Sequence, residues 1–438
     1  MNLLFLQQLN KTNYFSYLLA LFPLAFIAGN MIININIIII ILSSLIFFKK
    51  KIFKTKYYFL DTLILLFFTL VIVTALINDY NLFISGIEWR GNFSTVIKSV
   101  LFLKYLLLYF AIRFLIENKF INLKVFFISC LGATLFVCFD IFLQLLNGKD
   151  IFGYEAINTG RKLSGPFGDE LIAGGFIQRF SVFSFFLFPI FFYKKTHKYF
   201  KYIIPILFFI FFFGIILSGN RMPLILFIFT IFLIFTFNRK IRRYLLSFII
   251  IFSLGFFLVF NLNNKVRDNF LSFQMQLSKM LIVIIHGDDK KENSPQYLKE
   301  FSTFYDTWQM HKYLGGGLKN FRYYCHVRPN IDKNSGFICN MHPHNYYLEI
   351  LTETGLIGFI LVITIFSYVL YLSFYKKYFT VSDLNKNNII IPFLFLFISE
   401  VFPIKSTGSF FTTGNMTYLI ILMAIIIGIV RSEKLIEK

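Results

Sequence analysis

Segments 202–217, 222–237 and 244–260 contain no charged residue and show no polar face. Each approaches the roughly 20 residues that an α-helix needs to cross a bilayer, whereas a helix on a soluble domain carries a polar stripe. Such blocks recur along the chain. Of its 438 residues 57% are hydrophobic and only 15% charged, against about half and about a quarter in a soluble domain. That pattern specifies an all-α, polytopic transmembrane helical bundle.

Reading the apolar blocks against the basic clusters gives about twelve spanning helices, at 12–29, 31–48, 58–77, 98–117, 124–146, 172–193, 202–217, 222–237, 244–262, 345–374, 388–404 and 414–431. With the N-terminus inside, every second loop is cytoplasmic. Those loops hold 49–56, 119–124, 194–201, 239–243, 376–386 and 431–438, and all are basic, as the retention of Lys and Arg in cytoplasmic loops requires. The formal net charge of +21 is therefore topological, and no nucleic-acid partner is expected. Asn10-Lys11 interrupts the first apolar stretch and no small-residue cleavage site follows, so the first helix is expected to stay in the membrane.

Three of the opposite loops stand out: 78–98 with Trp89 and Arg90, 148–171, and 261–344. The last, about 80 residues long, is the stretch large enough to form a small extramembrane domain. It divides the chain into nine helices (1–262), an outer loop domain (263–344) before the third-last helix, and three more helices (345–438). This loop contains Trp308, Gly315-Gly316-Gly317 and five of the six histidines. Cys130 and Cys138 fall inside a predicted span, where cysteine behaves as a small apolar residue. Cys325 and Cys339 lie in the outer loop, where an oxidising compartment would let them pair and pin the chain just before His342. Two free thiols or a metal pair are the alternatives; no nearby cysteine completes a zinc set.

The densest stretch joins that loop to a spanning helix: Met341-His342-Pro343-His344-Asn345-Tyr346-Tyr347-Leu348-Glu349, continuing to Gly355-Leu356-Ile357-Gly358. Asn345 is a plausible N-cap, which puts His344 beside the positive end of the helix dipole. A neutral imidazole at the membrane surface is what a general base requires; the bland alternative is a loop histidine at the lipid interface. Metal binding through His342, His344 and His326 is weaker, because no acidic or thiolate partner stands at a telling distance, and no metal is expected.

Cationic side chains gather at outer helix ends. Arg161 and Lys162 lie in the glycine-rich run Gly160-Arg161-Lys162-Leu163-Ser164-Gly165, Arg179 about two turns into the following helix, and Arg221 at the end of the turn Ser218-Gly219-Asn220-Arg221. Guanidinium forks match phosphate oxygens and keep their charge, which suits an anionic, phosphate-bearing lipid substrate. An arginine within an apolar span is costly unless paired; the alternative is that Arg161 and Arg221 meet lipid headgroups and Arg179 pairs with Asp169 or Glu170. Trp89 and Trp308 could stack on sugar rings, although interfacial belts also enrich Trp. Gly315-Gly316-Gly317 lacks the Lys-Ser/Thr tail of a phosphate-binding loop.

With these residues in place the chain resembles the O-antigen ligase and O-antigen polymerase superfamily of bacterial envelope glycan assembly. The resemblance rests on His342-Pro343-His344-Asn345, Tyr347-Leu348-Glu349 and Gly355-Leu356-Ile357-Gly358, with Ser218-Gly219-Asn220-Arg221 and the segment from Trp308 to Gly315-Gly316-Gly317-Leu318-Lys319-Asn320-Phe321 in support. It implies an inverting, metal-independent glycosyltransferase without a cofactor, sited in the bacterial inner membrane with both termini cytoplasmic and the active site periplasmic. The donor would be a glycan on undecaprenyl diphosphate and the acceptor a lipid A–core sugar or another glycan. By position His344 would be the general base. Arg221, with Arg161, Lys162 and Arg179, would hold the diphosphate, and His342, Asn345 and Trp308 would contact substrate. The family arginine upstream of the loop tryptophan has no counterpart in 296–305, where Lys299 is the sole basic residue; Arg267 and Arg328 are its possible substitutes. One moderately long outer loop favours a ligase over a polymerase. A lipid-linked oligosaccharide transporter, from a different class, would instead show broken or charged helices near the bilayer midplane.

Overall fold

The computed structural model describes residues 3–52, 54–86, 93–156, 162–192, 199–237, 242, 245–262, 264–286, 296–328, 339, 344–374, 389–406 and 408–434. The α-helices among them are α1 (Leu3–Ala20), α2 (Phe22–Ala28), α3 (Asn30–Phe48), α4 (Phe59–Ile84), α5 (Ser94–Glu117), α6 (Leu123–Asn147), α7 (Ala173–Phe191), α8 (Phe200–Leu217), α9 (Arg221–Phe237), α10 (Leu245–Leu262), α11 (Asn264–His286), α12 (Gln296–Trp308), α13 (Phe321–Val327), α14 (Tyr346–Leu370), α15 (Ile390–Glu400) and α16 (Thr413–Lys434). The described residues form no strand, only an isolated bridge between Lys149 and Glu155. The fold is an all-α helical bundle.

Among the described residues, seven helices are long and apolar enough to cross a membrane: α3 to α7, α14 and α16. Their outward faces are apolar too, with Met31, Ile38, Leu42 and Ile46 of α3 all exposed, a surface that water would penalise and lipid accepts. Four further apolar stretches, Tyr202–Leu217, Arg221–Phe237, Phe248–Leu258 and Ile390–Glu400, are shorter. The first expected span, 12–29, is two helices that meet at Leu21. Pro23 sits in the first turn of α2, where its missing N–H does least damage but cannot serve a continuous helix.

Helices α5 and α16 pack along each other, as do α6 with α7 and α4 with α14. At one end of α4, Asp61 binds Arg113 of α5 at 2.6 Å and Arg431 of α16 at 3.0 Å. Glu117 joins both arginines at 3.4 and 3.3 Å. Arg113 and Asp61 are fully buried, so their charges are tolerable only as a set. About 20 to 25 Å away along the same helix, at 1.5 Å per residue, Thr74 and Asn78 lie toward the other end of the bundle. There Thr74 donates to the Leu314 carbonyl at 3.0 Å and Asn78 to that of Gly315 at 3.1 Å.

Candidate functional site

Asn345 caps α14 as its residue type suggests. Its backbone is extended and its side-chain oxygen accepts from the N–H groups of Tyr347 (2.9 Å) and Leu348 (3.2 Å). Its amide donates to the Pro403 carbonyl at 2.9 Å. His344, immediately before the cap, is half-buried and has φ +52°, a left-handed conformation uncommon for a residue with a Cβ. The helix therefore starts after His344 instead of running through it. His342 and Arg161, and likewise Trp89 and Arg90, lie outside the described residues.

One turn into α14, the carboxylate of Glu349 accepts from the Ser409 hydroxyl at 2.5 Å and the Phe410 N–H at 2.6 Å. That ties the helix to the segment before α16. Further in, α14 is broken. Gly355 has φ +67°, ψ −171°, and the carbonyls of Thr352 and Glu353 turn out of the helix. They accept instead from Gly316 (3.0 Å) and Gly317 (2.9 Å), while Leu356 and Ile357 donate to the carbonyls of Lys312 (2.9 Å) and Tyr313 (3.2 Å). The three glycines of the loop between α12 and α13 thus mate with the backbone of a broken apolar helix, the role that sequence reasoning missed. Their lack of side chains was the available signal: a Cβ on Gly315 would lie 2.4 Å from the Glu353 carbonyl carbon.

Trp308 ends α12, and its indole donates to the Lys312 carbonyl at 2.9 Å, which fixes the turn leading into the glycines. Behind it, Phe304 and Phe321 stack with Cys325 in a small core that also receives Cys339 and Leu348 of α14. Cys325 and Cys339 form a disulfide with Cα atoms 5.8 Å apart. It thus fastens the loop at Cys339, five residues before His344 in sequence. Exchanging both cysteines for serine is expected to cost about 3 kcal/mol by the loop-closure argument, read as a lower unfolding temperature of the purified chain and reproduced by reductant on the unmodified protein. Equal melting of both forms would contradict a structural role for the bridge. Burial on the same layer holds the His311 imidazole below its usual range.

The arginines divide. Arg179 of α7 points inward: its Nη2 lies 2.7 Å from Glu400 Oε1 and 2.6 Å from Asn415 Oδ1, and its Nε lies 3.2 Å from Glu400 Oε2. Its partner is therefore Glu400 at the end of α15, 221 residues away in sequence, and not Asp169 or Glu170. With the side chain only 15% exposed, Arg179 is committed to the protein. Glu400 also accepts from the Tyr346 hydroxyl at 2.6 Å and Lys405 Nζ at 2.5 Å. Arg221 opens α9 and reaches α11, where it donates to Ser272 (2.5 Å) and Gln276 (3.3 Å). Lys162 is half-buried beside the turn Gly165–Phe167. Of the two possible substitutes for the upstream family arginine, Arg328 is buried against the Cys325 carbonyl and sulfur, and Arg267 pairs with its neighbour Asp268 at 4.0 Å.

Residues 206–363 match the family described as O-antigen ligase. Over this segment the chain is similar to the O-antigen ligase family. The matched stretch runs from within α8 to within α14. It therefore takes in the turn before Arg221, the loop with Trp308 and the three glycines, and the His344 cap. Arg179, Glu400 and Lys405 fall outside it. This O-antigen ligase superfamily is one of membrane glycosyltransferases of the ligase and polymerase type. Comparison with curated proteins gives no match.

Proposed function

We propose that this chain, like the O-antigen ligase family it is similar to over residues 206–363, transfers a glycan from undecaprenyl diphosphate to a sugar hydroxyl of lipid A–core on the periplasmic face of the bacterial inner membrane. The observation that carries the reading is His344 held at φ +52° beside a fully formed N-cap, inside the family-matched segment. In the reaction the acceptor oxygen forms a bond to the anomeric carbon as the bond from that carbon to the diphosphate oxygen breaks, which inverts the centre. His344 takes the hydroxyl proton in concert with attack, since a neutral imidazole cannot deprotonate a free alcohol beforehand. The leaving diphosphate gains charge, which Arg221, with Lys162 and Arg161, offsets. No metal or cofactor enters the scheme. Trp308 and His342 are assigned to the glycan, and the donor's lipid tail lies along the apolar outer faces of the helices. Arg179, committed to Glu400, acts on the framework of the site and not on substrate.

A polymerase would use the same residues with a second lipid-linked glycan as acceptor. The break in α14 is the feature that speaks for a transporter, because transporters place unwound backbone at their ion sites. Here the freed groups are taken up by residues 312–317, so the break docks a loop. The reading is tested by supplying the purified chain in nanodiscs with labelled glycan on undecaprenyl diphosphate, together with lipid A–core. Label on lipid A–core is expected. Lengthening of the carrier-bound glycan alone would make it a polymerase, and label crossing a sealed vesicle without transfer would make it a transporter.

A further inference from the structure

The three residues that follow His344 all grip one short segment, 401–405, that comes after α15. The amide of Asn345 donates to the Pro403 carbonyl at 2.9 Å, and the Tyr347 hydroxyl donates to the Val401 carbonyl. Between them, the Tyr346 hydroxyl accepts from Lys405 Nζ at 2.9 Å and donates to Glu400 Oε1 at 2.6 Å. Arg179 Nη2 approaches the same hydroxyl at 3.5 Å. Tyr346 and Lys405 are both buried. Hydrogen bonds in so dry a setting are strong and directional. A left-handed residue with a Cβ persists only where its surroundings over-determine it, and three consecutive anchors directly after His344 meet that requirement.

Stability does not by itself account for the lysine. Burying an ammonium is costly, and an apolar side chain of similar volume often does as well in such a place. Burial draws Lys405 down to about 8 even with Glu400 opposing the shift. A buried cation kept under that strain points to a demand for geometry.

We infer that Lys405 and Tyr346 are positioning residues for His344: the 401–405 segment, locked by the Lys405–Tyr346–Glu400 bonds, sets the direction in which the imidazole meets the acceptor hydroxyl. The inference rests on the proposed role of His344 as base. It adds to the reaction a segment outside the family-matched residues, one that touches no reacting atom.

The test compares turnover of wild type, Tyr346→Phe, Lys405→Met, Lys405→Arg and His344→Ala in nanodiscs, with donor KM and melting temperature measured on the same samples. Tyr346→Phe keeps the ring and its packing and removes only the hydroxyl, so it covers the case in which Lys405→Met fails to fold. Both are expected to lower kcat roughly 10- to 100-fold, the scale of a displacement near 1 Å at a reacting group, with donor KM within about twofold. Lys405→Arg is expected to recover part of the loss. A rise in donor KM at unchanged kcat would make Lys405 a substrate contact and overturn the inference. So would lower melting temperatures with unchanged kcat per folded molecule. If His344→Ala is inactive while the other variants turn over normally, the positioning role fails and the base assignment stands. If His344→Ala turns over normally, the base assignment fails and the positioning role falls with it.

Discussion

Replacing His344 with alanine is expected to abolish glycan transfer while the protein still inserts and melts close to wild type. Loss of a general base costs roughly 10²- to 10⁴-fold in rate. Two properties of this residue must be separated, because it supplies both an imidazole and a left-handed backbone at φ +52°. Asparagine tolerates that conformation far better than alanine does and has no basic nitrogen. His344→Asn should therefore keep the cap geometry of Asn345 and the ties to 401–405, yet be as inactive as His344→Ala. Substantial transfer by the asparagine variant, with alanine inactive, would mean that the backbone shape and not the proton acceptor is what the reaction needs. The assay is initial-rate transfer per folded molecule, with folding followed by thermal unfolding.

The second large effect is expected at Gly355. An added Cβ would stand 2.2 Å from the Tyr313 carbonyl oxygen, with backbone, not a yielding side chain, in the way. Its conformation, φ +67° with ψ −171°, is one that residues other than glycine scarcely adopt. The two costs add, and Gly355→Ala is expected to destabilise the protein by more than about 4 kcal/mol, the range reserved for disrupted special sites. In practice this reads as loss of the folded species in gentle detergent. Gly315→Ala, which meets the same contact from the loop side at 2.4 Å, should behave alike. By contrast Gly132, in the interior of α6, has open space where a Cβ would go, and Gly132→Ala should fold normally. Normal melting and transfer by Gly355→Ala would show that the turn at 312–317 does not occupy the break in α14.

These two predictions draw on different kinds of information. The histidine was legible in the chain: Asn345 before an apolar run is a cap signal confined to three or four residues, and capping needs no knowledge of distant neighbours. The membrane class was equally local, because an uncharged apolar block is decided by its own composition. The break at Gly355 was not. In the sequence Gly355 and Gly358 are only part of a motif that carries the family resemblance, and Gly315-Gly316-Gly317 only a supporting run that lacks the Lys-Ser/Thr tail of a phosphate-binding loop. Nothing within either segment says that the two backbones exchange hydrogen bonds across some forty residues of chain.

The same division holds for the charged side chains. Arg179 stood out because an arginine in an apolar span demands a partner, but the sequence offered the nearby Asp169 and Glu170 while packing chose Glu400. Glu400 itself went unnoticed in a predicted span, and Lys405 lay in a short loop with no motif around it. Sequence alone determined that the chain is a helical membrane protein, where most of its apolar helices run, and that His344 sits at the start of one of them. Each of those follows from hydropathy and capping, which act over a single helix or less. Tertiary structure alone decided which carboxylate neutralises Arg179, what fills the gap in α14, and how 401–405 grips the residues after His344. Those depend on surfaces meeting in three dimensions, where burial makes every unpaired charge and open backbone group costly enough to select its partner from anywhere in the chain.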